Sequence, residues 1–192
     1  MIEIKKAGTE SISIIQNLAN ITWPVAYGDI ITPQQLDYMM ELIYSKSSLQ
    51  KQIQKGHQFI IAYDGEHAVA FASYSVKENH PAIFKLHKIY ILPYQQGKGI
   101  GKSLINYIIT DIAPATTLQL NVNRYNKALY FYEKLGFKII GEEDIDIGND
   151  FYMNDYVMEF QWWADWYEMT SFTLFIHQFY RSLKILLIPS EF

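Results

Sequence analysis

The chain has 192 residues, the length of one domain or of one domain with an appendage. Hydrophobic residues make up 49% and charged residues 19%, which is enough for a packed core, and a formal net charge of -4 argues against a nucleic-acid-binding surface. The absence of cysteine excludes disulfides, thiolate nucleophiles and cysteine-ligated metals, and fits a reducing compartment. The opening "MIEIKKAGTE" lacks the pattern of a signal peptide, so we expect a cytoplasmic protein that binds neither nucleic acid nor a membrane.

The N-terminal part predicts one strand followed by helices. The opening alternates apolar and charged residues, as a half-buried strand does. Thr9 occupies a capping position before apolar residues at helical spacing, and Pro24 ends or bends that helix. Thr32 and Pro33 suit the N-cap and first position of a second helix, and "SSLQKQIQKG" predicts a third.

After residue 56 the pattern changes to strands. "HQFIIAYDGEHAVAFASYSV" predicts a hairpin that turns at Asp64-Gly65, and "AIFKLHKIYIL" predicts a third strand. A helix in "GKSLINYIITDIA", a strand in "TLQLNVN" and a helix in "NKALYFYEKLG" follow, and two strands close the pattern. This order predicts a mixed α/β sheet rather than a regular βαβ repeat.

Three glycines stand between a predicted strand and a predicted helix, in "QQGKGIGKS". The segment is not a Walker A motif, because Gln96 stands where that motif needs its first glycine, and it lacks the third glycine of a dinucleotide-binding fingerprint. It fits Q-x-x-G-x-G with Gln96, Gly99 and Gly101. At such a junction between a strand and a helix, backbone N–H groups point toward one site and the helix dipole favours an anion there. Glycine has no Cβ, so a diphosphate can approach the backbone closely.

Together with "LHKIYILPYQQGKGIGKSLI", the segment "NRYNKALYFYEKLGF" makes residues 1–160 resemble the Gcn5-related N-acetyltransferases, the GNAT family. The resemblance implies an α/β fold with a mixed, mostly antiparallel central sheet flanked by helices. It also implies that acetyl-coenzyme A is the cosubstrate, with pantetheine along the third-strand segment and pyrophosphate at the glycines. The residues it assigns to the coenzyme are Ile89, Tyr90, Ile91, Gln96, Gly97, Lys98, Gly99, Ile100, Gly101 and Lys102, with Asn126 or alternatively Asn123 as the asparagine contact.

Direct acetyl transfer to an amine needs a neutral amine, a stabilised oxyanion and a proton for the departing thiolate. The resemblance assigns the general acid to Tyr132 and the oxyanion donor to a backbone N–H near Ile89–Ile91, while Tyr130 on the same helix points elsewhere. His87 is the candidate base, or alternatively a histidine with a structural hydrogen bond. The histidine spacing fits no metal motif, so we predict no metal.

The acceptor side is predicted from acidic and aromatic residues. Trp23, Tyr27 and Asp29 lie in the helical region that covers the acceptor in this family, and "GEEDIDIGNDF" adds carboxylates between the last two strands. The pattern resembles the PaiA-type, polyamine-acetylating branch, so the predicted substrate is a small amine such as spermidine. The alternative for the second segment is a solvated acidic loop.

Two further hypotheses stay open. One is that the chain is a coenzyme-binding regulatory or interaction module that has lost turnover. The other concerns residues 161–192, an aromatic extension that contains Trp162, Trp163 and Trp166. We interpret it as a helical appendage or a subunit contact in a homodimer, with a non-native extension as the alternative.

Overall fold

Helices and strands follow one another in an irregular order. The computed structural model describes residues 1–113, 115 and 117–161. The strands in these ranges are β1 (Ile2–Ala7), β2 (Gln58–Asp64), β3 (His67–Lys77), β4 (His80–Ile91), β5 (Thr117–Asn123), β6 (Lys138–Gly148) and β7 (Phe151–Gln161). The helices are α1 (Ile12–Tyr27), α2 (Pro33–Tyr44), α3 (Lys46–Gln54), α4 (Ile100–Asp111) and α5 (Ala128–Lys134).

These strands form one sheet in the order β1-β2-β3-β4-β5-β7-β6. The strands β1 to β4 pair antiparallel, as do β6 and β7, whereas β4 and β5 pair in parallel. The predicted β2–β3 hairpin is confirmed, with its two-residue turn at Gly65-Glu66, one residue later than predicted, and Gly65 at a φ of 61°. The mixed, mostly antiparallel sheet with flanking helices confirms the predicted fold class.

Helices cover both faces of the sheet. Phe71 of β3 packs edge-on against Tyr44 of α2, with ring centroids 6.1 Å apart, whereas Tyr74 of β3 donates its hydroxyl to Asp111 of α4 at 2.7 Å. Because successive strand residues point to opposite faces, positions 71 and 74 belong to different faces. The helices α2 and α4 therefore pack on opposite sides, each over buried apolar side chains.

The fourth strand is irregular near the middle of the sheet. Ser73 pairs with Lys88 and Tyr74 with Leu86, so His87 is an extra residue in β4, a β-bulge. The β4–β5 ladder runs from Ile83–Leu86 against residues 117–120. Past this point the two strands part, and the C-terminal end of β4 can offer backbone groups to a ligand.

The prediction for Thr9 is corrected, and of the two alternatives for Pro24 (a helix end or a bend) the helix end is excluded. Thr9 is not the cap of α1: residues Thr9–Ser11 form a 3₁₀ turn, and Ser11 takes the N-cap position without a side-chain hydrogen bond. Pro24 does not end the helix, which continues to Tyr27 because the carbonyl of Pro24 still accepts a hydrogen bond from Gly28 N–H at 3.0 Å. The prediction for α2 is confirmed, since the Thr32 hydroxyl accepts from Gln35 N–H and Pro33 begins the helix.

Residues Met1–Phe160 form one compact unit. The predicted C-terminal extension, 161–192, lies outside the described residues except for Gln161, so its role and the domain boundary stay predictions. Among the described residues, no helix is both long enough and apolar enough to cross a bilayer.

Candidate active site

A cavity of about 1110 Å³ lies where β4 and β5 part. It has two halves, which we define by their walls. The coenzyme half is lined by the end of β4, residues 95–102 and the start of α5. The acceptor half is lined by α1, α2, the middle of β4 and the first half of β7. The two halves are continuous across the opened sheet, so a thioester held in one can meet an amine held in the other.

The glycine turn in the coenzyme half needs glycine at two positions. Gly97 and Gly99 have φ values of 77° and 81°, a left-handed backbone that other residues adopt with strain. No atom lies within 4 Å of where a Cβ would stand at either position, so conformation rather than crowding requires glycine there. Gly99 is the N-cap of α4, and its carbonyl accepts the first helical bond from Ser103 N–H at 3.0 Å. The N–H groups of the first turn precede that bond and suit an anion.

The third glycine has a packing role in addition to the predicted binding role. A Cβ at Gly101 would lie 2.8 Å from Phe131 Cζ and 3.1 Å from Ile91 Cδ1. Gly101 is buried, and it lets α4 pack closely against α5 and β4. The assignment of Gly101 to the diphosphate stays a prediction, and the structure adds a packing role that a sequence motif does not reveal.

The remaining predicted coenzyme residues surround this turn. The Gln96 amide donates to the carbonyl of Ile91 at 3.3 Å and fixes the turn to the end of β4. Lys98 donates to Gln95 Oε1 at 2.9 Å, and Lys102 lines the cavity. The other predicted residues that line the cavity are Ile89, Tyr90, Ile91, Gln96, Gly97, Gly99, Ile100, Gly101, Asn123 and Asn126. Lys98 is absent from the cavity wall of the described chain.

The two candidate asparagines lie in the loop between β5 and α5. Asn123 Oδ1 accepts from Tyr125 N–H at 3.0 Å, and Asn126 Oδ1 accepts from Ala128 N–H at 2.9 Å at the start of α5. Both line the cavity, so both alternatives remain. Asn126 differs in that its side chain lowers the pKa of Tyr27, against the larger, raising effect of burial, so this loop lies close to the acceptor half.

Tyr132 is a buried tyrosine in the wall of the coenzyme half. Its side chain is 7% exposed, lines the cavity and packs against the rings of Phe131 and Phe137. Burial and the neighbouring Tyr27 raise the pKa of Tyr132, so its hydroxyl is protonated at neutral pH. Tyr130 on the same helix is 66% exposed and points away, in line with the sequence interpretation.

Aromatic side chains form one wall of the cavity, which we call the aromatic wall. Trp23 stacks 4.7 Å from Tyr27 and donates its indole N–H to the Tyr44 hydroxyl at 2.9 Å. The hydroxyls of Tyr27 and Tyr90 are 3.3 Å apart. Trp23 and Tyr27 therefore reach the cavity as predicted, but the ring of Tyr90, which was assigned to the coenzyme, belongs to this wall. Asp29 also lines the cavity, at an exposed position.

His87 lines the cavity but is engaged with its neighbours. Its Nε2 lies 2.8 Å from the Ser75 hydroxyl, and its ring stacks on His57 with centroids 4.1 Å apart. Burial, together with His57, Lys88 and Lys85, lowers the pKa of His87 far below its usual value. These contacts favour the structural alternative for His87 over its role as base.

The acidic segment predicted as the connection between the last two strands lies mostly within β6, and its carboxylates at 142–144 do not line the cavity formed by the described residues. Asp144 and Glu142 pair with Arg124, at 2.7 Å from Nη2 and 3.6 Å from Nε. Glu143 accepts from the Asn121 amide at 2.8 Å. None of these three residues lines the cavity of the described chain. Their predicted interaction with a cationic acceptor is therefore replaced by local pairing, which periodicity does not reveal.

Asp155 is the residue that sequence reasoning missed. It lies in the middle of β7, is 2% exposed and lines the acceptor half of the cavity. An aspartate at a position where the strand pattern puts apolar residues was the available signal, since buried carboxylates are uncommon without a partner or a role.

The acceptor half is closed on one side by contacts between distant segments. The Tyr38 hydroxyl of α2 donates to the carbonyl of Ile147 at 2.7 Å, and the Gln35 amide donates to the carbonyl of Tyr152 at 3.0 Å. A Cβ at Gly148 would lie 2.8 Å from the Tyr38 hydroxyl, so this glycine permits the contact. The helix α2 and the β6–β7 hairpin thus form a clasp beside the cavity, defined by Gln35, Tyr38, Ile147 and Tyr152. Across the described residues, no group of three or more His, Cys, Asp or Glu side chains is placed to hold a metal ion.

Comparison with known families agrees with this geometry. The family model described as the acetyltransferase (GNAT) domain matches residues 29–154. The chain belongs to the GNAT acetyltransferase family. Its sequence is 28% identical over 160 residues to the spermidine N(1)-acetyltransferase of Thermoplasma acidophilum, covering 79% of this chain and 95% of that protein.

Two other matches show less about this chain: the first covers a short segment, and the second shows the fold alone. The peptidyl-lysine N-acetyltransferase YjaB of Salmonella typhimurium is 42% identical over 59 residues, which are 30% of this chain and only 39% of that protein. The crystal structure of the PaiA N-acetyltransferase of Thermoplasma acidophilum in complex with coenzyme A superimposes with a TM-score of 0.71 at 24% identity, covering 84% of this chain and 99% of that one. The latter likeness shows the fold.

Proposed function

We propose that this GNAT acetyltransferase binds acetyl-coenzyme A and transfers the acetyl group directly to a primary amine, which is a polyamine such as spermidine. The observation that carries the proposal is the continuous cavity, which joins an anion-binding turn, a buried tyrosine hydroxyl and an aromatic, partly acidic acceptor half. The PaiA structure holds coenzyme A in the same fold, which supports the choice of cosubstrate.

The coenzyme half supplies binding through the backbone. The diphosphate faces the turn at Gly97 and Gly99 and the first N–H groups of α4, where the helix dipole favours an anion by ~0.3–1 kcal/mol per contact. Pantetheine runs along residues 89–91, whose strand edge is free of β5. A backbone N–H on this edge then stabilises the oxyanion of the thioester carbonyl as the amine attacks.

Tyr132 supplies the proton for the leaving group. Attack of the neutral amine on the carbonyl carbon forms the C–N bond, and collapse of the oxyanion breaks the C–S bond with the electron pair going to sulfur. The Tyr132 hydroxyl protonates that sulfur, and the tyrosinate regains a proton from the new amide nitrogen. Burial raises the pKa of Tyr132, and the same dry cavity raises that of the thiolate, which keeps the transfer feasible.

The acceptor half suits a slender alkylammonium chain. Its wall combines the carboxylates of Asp29 and Asp155 with the rings of Trp23 and Tyr27, which attract cations by charge and by cation–π contact. The clasp of α2 against the β6–β7 hairpin narrows the approach, so an extended chain fits better than a folded protein surface. The similarity to a spermidine acetyltransferase over most of the chain supports the same class of acceptor.

The test is release of coenzyme A thiol from acetyl-coenzyme A with a panel of amines. Spermidine should react faster than an uncharged arylamine or a lysine-containing peptide, and its KM should rise with ionic strength because salt screens the carboxylates. A preferred peptide would replace the polyamine while leaving the transfer reaction in place. If calorimetry detects coenzyme A binding but no amine is acetylated, the chain is a coenzyme-binding module instead. Absence of coenzyme A binding would overturn the whole proposal.

A further inference from the structure

A buried carboxylate that helps to attract the acceptor has no part in the bond-making steps above. Asp155 is 2% exposed in the middle of β7, yet its side chain lines the cavity. The strand register places it opposite Glu143 of β6. A buried carboxylate costs folding free energy compared with an apolar side chain of similar size. Its position at the cavity wall indicates that it acts on what enters the cavity.

Charged and polar groups face Asp155 from each element around it. Burial is the largest influence and raises its pKa; Lys85 of β4 lowers it, Glu143 of β6 raises it, and Arg124 and the Asn121 amide lower it. The result is a pKa of about 6. Asp155 is therefore a carboxylate at pH 7 and becomes neutral when it takes up one proton near physiological pH, as a general base requires.

Tyr27 connects this carboxylate to the reacting centre. In addition to burial, the charge of Asp155 raises the pKa of Tyr27, and Tyr27 in turn raises the pKa of Tyr132. Asp155, Tyr27 and Tyr132 line the same cavity, so an ammonium group held in the acceptor half can meet Asp155 before it reaches the thioester.

We propose that Asp155 binds the ammonium group of the acceptor and takes one proton from it, so that a neutral amine attacks the thioester. This role rests on the proposed acetyl transfer and adds its missing first step. One N–H bond of the ammonium breaks, its proton moves to a carboxylate oxygen of Asp155, and the nitrogen keeps the electron pair. Asp155 then loses the proton to water, so each turnover of an alkylammonium releases one proton.

The other titratable groups of the cavity suit this step less well. His87 is held by Ser75 and His57, and its lowered pKa makes it a weak proton acceptor. Lys88 donates to Gln52 Oε1 at 2.6 Å, and its pKa, lowered by burial to about 8, leaves it protonated at pH 7. Asp29 is exposed, so it can attract the chain but does not share the dry site of Asp155.

The experiment compares Asp155→Asn with wild type in spermidine acetylation across pH. In wild type, kcat/KM should rise with increasing pH as Asp155 ionises, and this rising limb of the pH profile should have its midpoint near pH 6. His57 cannot produce this limb, because its pKa is about 4. Asp155→Asn should lower kcat/KM at pH 7 by about 100-fold or more and abolish that limb. Affinity for coenzyme A should be unchanged by calorimetry, and Asp155→Glu should recover part of the rate.

A weakly basic amine separates the proposed role from a structural one. Trifluoroethylamine is already neutral at pH 7, so wild type and Asp155→Asn should acetylate it at similar rates. The matched control is Glu142→Gln, which removes one exposed carboxylate from the neighbouring strand and should leave kcat/KM for spermidine unchanged.

Two results would overturn the inference while leaving acetyl transfer intact. One is a wild-type profile without a limb near pH 6, which decides the matter even if Asp155→Asn fails to fold. The other is an equal loss of rate with spermidine and trifluoroethylamine in a folded Asp155→Asn protein. Inactive wild type with every amine would instead refute the proposed function itself.

Discussion

The coenzyme half and the acceptor half of the cavity are built in different ways. The coenzyme half takes most of its wall from one continuous stretch, the end of β4 and residues 95–102, and it presents mainly backbone groups. The acceptor half collects side chains from α1, α2, β4 and β7, which are far apart in sequence. Backbone chemistry is the same in any chain that adopts the turn, whereas side-chain chemistry depends on each residue. The coenzyme half is therefore the part that family members can share, and the acceptor half is the part that can vary.

The strongest test of the coenzyme half is removal of its acid. Tyr132→Phe should lower kcat by ~10²–10⁴, the usual contribution of a general acid, while the Kd for coenzyme A changes little. Steady-state kinetics and calorimetry measure the two quantities. Tyr130→Phe is the matched control, because this exposed tyrosine on the same helix should have no effect. Wild-type kcat in Tyr132→Phe would make this tyrosine merely a packing residue.

The glycine turn provides the next largest effect. Gly99→Asp combines a strained left-handed backbone with an anion beside the diphosphate, and should weaken coenzyme A binding by about 100-fold. Gly99→Ala, which adds strain without charge, should weaken it by about 10-fold. Calorimetry measures both. Gly65→Asp in the β2–β3 turn is the control, since it alters a similar backbone away from the cavity. Unchanged affinity in folded Gly99→Asp would remove the diphosphate from this turn.

Gly101 tests whether packing and binding can be separated within the same motif. Gly101→Ala should lower the free energy of unfolding by about 1–3 kcal/mol, because its Cβ would press on Phe131 and Ile91. Denaturant titration measures the loss, and Phe131→Leu should restore part of it in the double variant. The Kd for coenzyme A should change less than in Gly99→Ala. A larger change in Kd than in stability would return Gly101 to its predicted binding role.

The smallest expected effect is on the stability of the folded protein at acidic pH, and it involves two histidines of the cavity wall, His57 and His87. Burial lowers the pKa of His57 to about 4 and that of His87 still further, so the unfolded chain binds more protons than the folded one below pH 6.5. Their stabilising contribution is thus present above pH 6.5 and is lost as the pH falls, by about 1–2 kcal/mol at pH 5 after allowance for screening at partly exposed His57.

Asp155 changes the stability in the opposite direction. Because its pKa is raised in the folded state, it stabilises the folded protein in acid, and this stabilisation is lost as the pH rises through about 6. The difference between wild type and a His57→Gln, His87→Gln double variant cancels Asp155 and isolates the histidines. Thermal unfolding should show a smaller drop in Tm from pH 7 to pH 5 in the double variant. Equal drops in both proteins would contradict the assigned titration of the two histidines.

The amino-acid sequence by itself determined the order of helices and strands and the place of the glycine turn. Hairpin residues at Asp64-Gly65, the Thr32-Pro33 helix start and the glycines after Ile91 act through local backbone preferences, which a short segment carries within itself. The prediction that failed at Thr9, and the excluded alternative that Pro24 ends α1, concern helix ends, where local sequence signals are weakest.

Only the tertiary structure decided which side chains share the cavity. It gave Gly101 to the packing of α4 on Phe131, joined the carboxylates around residue 143 to Arg124, and brought Asp155 to the cavity wall. The positions of the carboxylates depend on the register of β6 against β7 and on the separation of β4 from β5. A one-residue change in the register of either strand would turn its carboxylates to the other face of the sheet, and the packing of α4 on α5 joins helices that are separated in sequence.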